Sequence, residues 1–280
     1  MNDWLHNLPV IWMALVVFGA VYLITAVIYA VVMGLAAGER ARAFKAFSPS
    51  MLSPLSTLFA LFIAFTAVQV WNDADRANTA VVREASALRA AVILAANFPG
   101  EPEARMRRLI RRHIEEAVHQ EWPMMAQHSA TLTNIPEPLA EAEQLTLALT
   151  PSNRGQEIAQ RGIDTALENA LDARRQRIIV SLSQVNLTKW SCLLVQAICM
   201  LFAIAMVHSD NRRAAALAMG LFAAGVAVSV LLILAHERPF DGEISVGPAP
   251  LLQVLPQTAG GTWKCCWSTI SSTARCPPRA

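Results

Sequence analysis

A chain of 280 residues that is 54% hydrophobic and only 16% charged is too apolar for an ordinary soluble protein and too charged to consist of membrane spans alone. The formal net charge of +2 gives no reason to expect a nucleic-acid partner. We therefore expect one part of the chain to lie in a lipid bilayer and another part to lie in water.

Four apolar runs are long enough to cross about 30 Å of hydrocarbon. They extend over about residues 8–37, 51–71, 190–207 and 214–235. The first run is not expected to be a cleavable signal, because no Lys or Arg precedes it and because it exceeds the apolar core of a signal peptide. The sequence therefore predicts four transmembrane helices.

The second span is preceded by a helix-start signal. Pro54 suits the first turn of a helix, where its missing N–H costs nothing, and Ser53 can cap the free donors of that turn. Trp71 marks the far membrane interface. No Gly or Pro interrupts the helical pattern beyond it, so we expect this helix to continue out of the membrane as far as Asn97.

Residues 72–188 carry thirteen arginines and fifteen carboxylates, which predicts a water-exposed domain. A second helix is expected over about residues 102–121, and a looser connection follows around Pro123, Pro136 and Pro138. A last helix begins near Ser152 or Gln156, with apolar residues at roughly heptad spacing. We expect it to run without a break into the third span, as one helix over residues 156–207.

The predicted fold class is an all-α integral membrane protein, in which four transmembrane helices carry a helical stalk inserted between spans two and three. Residues 1–71 form the first pair of spans, residues 72–188 the stalk, and residues 189–256 the second pair of spans with an exit segment. Beyond residue 256 the composition changes to Gly, Thr, Ser, Trp, Cys and Pro without periodicity. We interpret residues 257–280 as a disordered or aberrant tail.

The two short loops are basic. Arg40, Arg42 and Lys45 lie between spans one and two, and Arg212 and Arg213 lie between spans three and four. Under the positive-inside rule both loops face the cytoplasm, which places the termini and the stalk outside.

The turn between the last two spans is a candidate site with two open interpretations. It contains His208, Asp210, Asn211, Arg212 and Arg213. In the structural interpretation, Asp210 or Asn211 caps the fourth span and the arginines anchor to lipid phosphate. In the functional interpretation, the turn is an anion-holding end of the helix bundle.

The exit segment after the fourth span is equally ambiguous. It contains Arg238, Pro239 and Phe240 within a charged stretch that ends near Gly242. The segment is either an interface anchor with a proline-driven turn or a ligand-binding or gating element.

Metal and catalytic sites are not expected. His113, Glu116 and His119 include one Glu-x-x-His motif, but a di-iron bundle needs a second copy, so a solvated helix face is the favoured interpretation. No nucleophile with a base and no phosphate-binding loop is found. Because no charged residue lies within a span, we also expect neither a pump nor a secondary transporter. No enzyme activity and no cofactor are predicted.

The second span resembles the pore-lining helix of bestrophin anion channels, through Pro54-Leu55-Ser56, Phe59-Ala60-Leu61-Phe62 and Val70-Trp71-Asn72. Over about residues 5–256, the chain is similar to a bacterial family named bestrophin-like. That wider similarity is carried by Ser53-Pro54, by Glu84-Ala85, by the segment from His208 to Arg213, and by Arg238-Pro239-Phe240 with Gly242.

The resemblance implies a pentamer in which the second span forms an apolar neck that gates by dewetting. When span two is aligned with the pore helix of bestrophins from Pro54 without gaps, the residues at the neck positions are Ser53, Thr57 and Leu61. Ser and Thr occupy positions where the family has bulky apolar groups. The resemblance therefore implies either a constriction that is wider or more hydrated than in the family, or no constriction. The calcium clasp of animal bestrophins has no recognisable counterpart, so no calcium gating is expected.

The resemblance also implies a cytosolic stalk, opposite to the charge rule. Several arginines flank the membrane on the stalk side: Arg76, Arg83, Arg89, Arg174, Arg175 and Arg177. Long domains are poorly governed by that rule, so both orientations stay open.

The favoured hypothesis is an oligomeric channel for inorganic anions in the bacterial inner membrane, with span two lining the pore. Its partners are the lipid bilayer and further copies of the same chain. The alternative is a non-channel membrane sensor or scaffold, whose domain over residues 72–188 binds a ligand or a partner.

Overall fold

A computed structural model describes residues 9–35, 48–133, 135–183, 185–242 and 244–256. All regular structure in these ranges is helical, in the order α1 (Val10–Leu35), α2 (Leu52–Ala95), α3 (Glu101–Glu116), α4 (Trp122–Ala126), α5 (Glu137–Leu147), α6 (Arg154–Ser181), α7 (Leu187–Val207), α8 (Arg212–His236) and α9 (Ala249–Gln253). A 3₁₀ turn, Pro49–Met51, precedes α2, and a π-helical segment, Ala117–Glu121, joins α3 to α4. The predicted tail and the basic loop at Arg40, Arg42 and Lys45 lie outside the described residues.

Helices α1, α2, α7 and α8 are long and apolar enough to cross a membrane. They pack against one another, and α1 and α8 form the most extensive pair among them. Their interfaces contain aliphatic side chains and small residues such as Ala215 and Ala227, which let helix backbones approach closely. The predicted all-α membrane fold with four spans is confirmed.

Helix α2 continues from the membrane into the stalk. It contains 44 residues and is about 66 Å long at about 1.5 Å per residue. Pro54 lies in its first turn, and the chain leaves the helix just before the loop at Pro99 and Gly100. The predicted continuation of the second span to Asn97 is confirmed to within two residues.

The stalk is organised around the packing of α2 against α6. Ala77, Ala80 and Ala91 are fully buried on α2, and these small side chains allow the two helices to approach closely. Helices α3, α5 and α9 extend the same core. Each fully buried aliphatic side chain contributes about 1.5–3 kcal/mol relative to exposure, so a continuous apolar core stabilises the stalk.

Helix α5 was not expected from the sequence. The prolines at 136 and 138 indicated a looser connection, but Pro138 instead lies in the first turn of α5, where a missing N–H is tolerated. Leu139, Ala142 and Thr146 of this helix are buried, so burial of one apolar face determines the structure here.

The prediction of one continuous helix over residues 156–207 is wrong. Helix α6 ends at Ser181 and α7 begins at Leu187, with Asn186 as its N-cap. The Ser183 hydroxyl donates to the Asp73 carboxylate at 3.0 Å, and the Val185 N–H donates to Glu237 at 3.2 Å. Side chains of Ser and Asn form hydrogen bonds that compete with those of a continuous helix. The helix is therefore interrupted where the stalk meets the membrane bundle.

Candidate functional site

The membrane half of α2 has an exposed face. Ser53, Thr57 and Leu61 lie four residues apart and are all exposed, whereas Phe59 and Thr66 on the other side are buried. In the apolar window of this helix 11% of the residues are buried, compared with 22% to 39% in the other three spans. We call Ser53, Thr57 and Leu61 the pore face, because they are the predicted pore-lining residues.

The hydroxyl groups near the pore face are bonded within their own helix. Thr57 Oγ1 donates to the Ser53 carbonyl at 2.9 Å, and Ser56 Oγ donates to the same carbonyl at 2.8 Å. Such bonds satisfy hydroxyl donors in an apolar environment. An anion at this face would therefore have to compete with the Ser53 carbonyl for the Thr57 proton.

The turn at residues 208–213 lies at the end of the membrane bundle away from the stalk. The Asn211 side chain accepts hydrogen bonds from the backbone of Arg213 at 3.1 Å and of Ala214 at 3.2 Å, so Asn211 caps α8. His208 Nδ1 lies 3.0 Å from the Ile204 carbonyl, and Tyr29 donates to the Arg212 carbonyl. Of the two capping residues that the structural interpretation offered, Asn211 is therefore the one that caps α8. Arg212 and Arg213 are exposed.

The exit segment at residues 238–240 lies at the opposite end of the bundle and packs on the stalk. Phe240 is buried and makes an edge contact with Trp122, with ring centroids 5.6 Å apart. Trp122 Nε1 donates to the Val246 carbonyl at 3.3 Å, and Arg238 lies 3.5 Å from Asp241. The candidate residues at 208–213 and those at 238–240 therefore lie at opposite ends of the membrane bundle. Phe240 lies inside the stalk core.

A buried network of charged side chains lies in the stalk, and the sequence reasoning missed it. Arg177 Nε donates to Glu84 Oε2 at 2.8 Å, and Arg177 Nη2 donates to Glu121 Oε2 at 2.8 Å. Arg174 Nε donates to Glu121 Oε1 at 2.7 Å. His113 Nε2 lies 3.0 Å from Glu84 Oε1. We call these five residues, Glu84, His113, Glu121, Arg174 and Arg177, the stalk network.

The network brings together three helices and the π-helical segment. Glu84 comes from α2, His113 from α3, Glu121 from the π-helical segment, and both arginines come from α6. Glu84 and Arg177 are fully buried, and the Arg177 guanidinium lies 4.8 Å from the centroid of the Trp122 ring. The network therefore joins the helix that carries the pore face to the rest of the stalk.

Electrostatic interactions favour the charged forms of Glu84 and Arg177. Burial by itself would raise the pKa of Glu84, but Arg177 and His113 outweigh it and lower that pKa below its ordinary value. Burial would lower the pKa of Arg177, and Glu84 and Glu121 outweigh it and raise that pKa. Since ionised Glu84 only accepts hydrogen bonds, His113 donates through Nε2. The two carboxylates of the network therefore face two guanidinium groups.

Two sequence interpretations need correction here. His113 is 1% exposed, so the solvated helix face is wrong for this residue. Arg174 and Arg177 are buried in the stalk, so they are not free charges flanking the membrane. The sequence signal for the network was Glu84 itself, a carboxylate on a helical stripe with Ala80 and Ala91.

A family model for the bestrophin-like domain matches residues 9–251. The chain belongs to the bestrophin-like family. A search of curated proteins found no match.

Solved structures share the fold of this bestrophin-like chain. A point mutant of a bacterial bestrophin homologue from Klebsiella pneumoniae has a TM-score of 0.67 at 13% identity, covering 85% of this chain and 97% of the homologue. A mutant membrane protein has a TM-score of 0.67 at 12% identity, with 86% and 99% coverage. A second mutant of the Klebsiella homologue has a TM-score of 0.61 at 14% identity, with 86% and 96% coverage.

Two of the four motifs that suggested the bestrophin-like family are linked through the stalk. Phe240 contacts Trp122, Trp122 lies against Arg177, and Arg177 binds Glu84. Ser53 and the turn at residues 208–213 lie at the other end of the membrane bundle. The sequence motifs thus mark two separate regions of the fold.

Proposed function

We propose that this bestrophin-like protein is a homo-oligomeric channel for inorganic anions in the bacterial inner membrane, with the pore face of α2 lining the pore. The observation that carries the proposal is the low burial of the apolar window of α2 within one chain. The membrane half of α2 has no charged residue and carries Ser and Thr on an exposed face, which suits contact with water and with further copies of the chain.

The chemistry of the pore face fits a wet pathway with one apolar narrowing. Ser53 and Thr57 offer hydroxyl groups, and Leu61, which is 53% exposed, offers an apolar side chain one turn further on. Apolar constrictions gate by dewetting, so Leu61 is the position at which water exclusion is strongest. Arg212 and Arg213 are exposed near the Ser53 end and add positive potential that attracts anions.

Currents across planar lipid bilayers test the proposal. We expect the purified protein to give anion-selective current, measured from the reversal potential in a chloride gradient. Thr57→Phe should lower the conductance several-fold, because a bulky apolar ring narrows and dries the pore face. Leu61→Ala should raise it, because a smaller side chain weakens dewetting.

Matched controls come from α8, where Leu217 and Leu221 are also exposed to the surroundings. Leu217→Ala repeats the Leu→Ala change on a different helix, and Leu221→Phe introduces the same aromatic ring there. Both should leave the conductance unchanged. Absence of current from folded protein would refute the channel. Current that responds equally to the α2 and α8 substitutions would refute the assignment of the pore face.

A further inference from the structure

The stalk contains a cavity of about 230 Å³ beside the stalk network. Helix α3, the π-helical segment, α4, residues before α5, the start of α5 and α6 line it. Its polar lining includes His113, Glu116, Gln120, Glu121, Glu137 and Arg174. It is separate from the pore face, which lies on the membrane half of α2.

The size of the cavity suits a small occupant. Drug-sized pockets measure about 300–1,000 Å³, whereas a single water needs only about 10–15 Å³ of accessible space. The cavity opens to water, since the Glu137 side chain on its lining is 71% exposed. A small organic molecule therefore both fits and has a way in.

The charges around the cavity favour a cation. Glu121 is balanced by Arg174 and Arg177 inside the stalk network. Glu116 and Glu137 share one guanidinium, because Arg112 Nε donates to Glu116 at 2.8 Å and Arg112 Nη2 donates to Glu137 at 2.9 Å. Two carboxylates against one guanidinium leave a net negative charge at the lining.

The hydrogen-bonding groups favour an ammonium group over a metal ion. Glu116 offers carboxylate oxygens at the lining, which accept the N–H donors of an ammonium group. Gln120 and Thr131 add further oxygen atoms to the lining. Within the described residues no group of His, Cys, Asp and Glu side chains is arranged to hold a metal ion.

The apolar part of the lining indicates that the cation carries a hydrocarbon chain. Met124, Ile135 and Ile178 line the cavity together with the carboxylates. Burial of methylene groups against such side chains is favourable by about 0.8 kcal/mol per CH₂. In addition, the lining residues Gln120 and Glu121 lie on a π-helical segment, an irregularity that is frequent at functional sites.

We propose that this cavity binds a small aliphatic ammonium ion, with its charge at Glu116 and its chain against Met124, Ile135 and Ile178. His113 and Glu121 line the cavity and belong to the stalk network, so the occupant lies beside the network that holds Glu84 of α2. The binding site itself does not depend on channel activity.

Calorimetric titration of the full-length protein in detergent tests the site. The probe is n-butylammonium chloride, and the isosteric controls are n-butanol and sodium butyrate. We expect saturable binding of the ammonium probe with a dissociation constant of about 1 mM or tighter, a realistic affinity for so few atoms. The neutral and anionic controls should bind at least about tenfold more weakly, as a charge-assisted contact requires.

Three variants locate the binding. Glu116→Gln should weaken binding about tenfold, since it removes the charge of a lining carboxylate. Thr131→Phe should abolish binding, because an exposed residue of the lining then fills the cavity. Glu168→Gln should change nothing, because Glu168 is exposed on α6 and is not part of the lining. Unchanged thermal melting shows that each variant is folded.

Four results would overturn the proposal: no saturable binding of n-butylammonium, equal binding of n-butanol, equal loss in Glu168→Gln, or full competition by magnesium chloride at equal concentration. The last result would indicate a simple cation site. Since calorimetry requires no current, failure here is distinguishable from failure of the proposed channel.

Discussion

At the scale of single residues, Glu84 determines the state of the stalk network. Its two carboxylate oxygens accept from Arg177 and from His113, and neither Glu84 nor Arg177 reaches water. A buried ion pair contributes little net stability relative to an apolar pair, but removing one partner leaves an uncompensated charge in the core. The consequences of substitution therefore depend on which partner remains.

Glu84→Gln is expected to destabilise the protein by about 3–5 kcal/mol, because Arg177 then stays buried without its main counter-charge. Chemical denaturation in detergent measures the change. Glu168→Gln, an exposed substitution on α6, should lie within about 0.5 kcal/mol of wild type.

A double substitution distinguishes two causes of destabilisation: the loss of the attraction between Glu84 and Arg177, and the burial of one charge without its partner. Glu84→Gln combined with Arg177→Met should be less destabilising than the sum of the two single changes, because neither charge is left alone. Additive effects would show that the two side chains do not interact.

The same carboxylate makes stability depend on pH. The pKa of Glu84 in the folded protein lies below its ordinary value of 4.5, so its ionisation stabilises the fold well above that pH. As the pH falls from 4.5 towards the lower folded pKa, this contribution is lost. Denaturation at a series of pH values should therefore show the gap between wild type and Glu84→Gln narrowing below pH 4.5, and a gap that widens would contradict the assignment.

At the scale of helices, the capping residues determine where elements begin. Asn153 Oδ1 accepts from the Gln156 backbone at 2.9 Å, and the Gln156 side chain accepts from the Ser152 N–H at 2.8 Å. This reciprocal arrangement satisfies free donors at the start of α6, the helix that supplies both arginines of the stalk network.

Asn153→Ala should destabilise the protein by about 1 kcal/mol, because one donor of the first turn loses its partner. Asn153→Asp keeps an acceptor at the N-terminus of the helix and should retain the stability of wild type. Denaturation midpoints of the two variants provide the measurement, and equal loss in both would show that the side-chain bond is unimportant.

Local sequence patterns predicted the spans and the helix through Glu84, since runs of apolar residues and the absence of Gly and Pro act over short distances. The same patterns failed at residues 182–186, where Ser183 and Asn186 bond to side chains and backbone at the membrane boundary. They also failed at the stalk network, because Arg177 lies 93 residues from Glu84 and their pairing depends on tertiary packing.

At the scale of the whole molecule, the exposed face of α2 matters most. Phe65 is 69% exposed and Leu58 is 61% exposed on the membrane half of this helix, whereas one face of its stalk half belongs to a continuous apolar core. Such a contrast along one helix is expected where neighbouring copies cover the membrane half.

The intact protein in detergent is expected to be a multimer of its 30.5 kDa chain, with five copies as the number that the family resemblance implies. Native mass spectrometry with resolved detergent adducts counts the copies. A monomer would remove the pore, since one pore face cannot enclose a water path, and would favour the sensor or scaffold hypothesis.

One unbroken helix gives the two regions of the fold a mechanical connection. Thr57 and Glu84 lie 27 residues apart on α2, about 40 Å along its axis and about half a turn out of phase. Within that interval the helix has neither Gly nor Pro, so no hinge is available to absorb torsion. The stalk network, which binds Glu84, therefore determines the rotational position of Thr57 about the axis of α2. A small rotation of the helix about its axis in the stalk turns the side chains of its membrane half by the same angle.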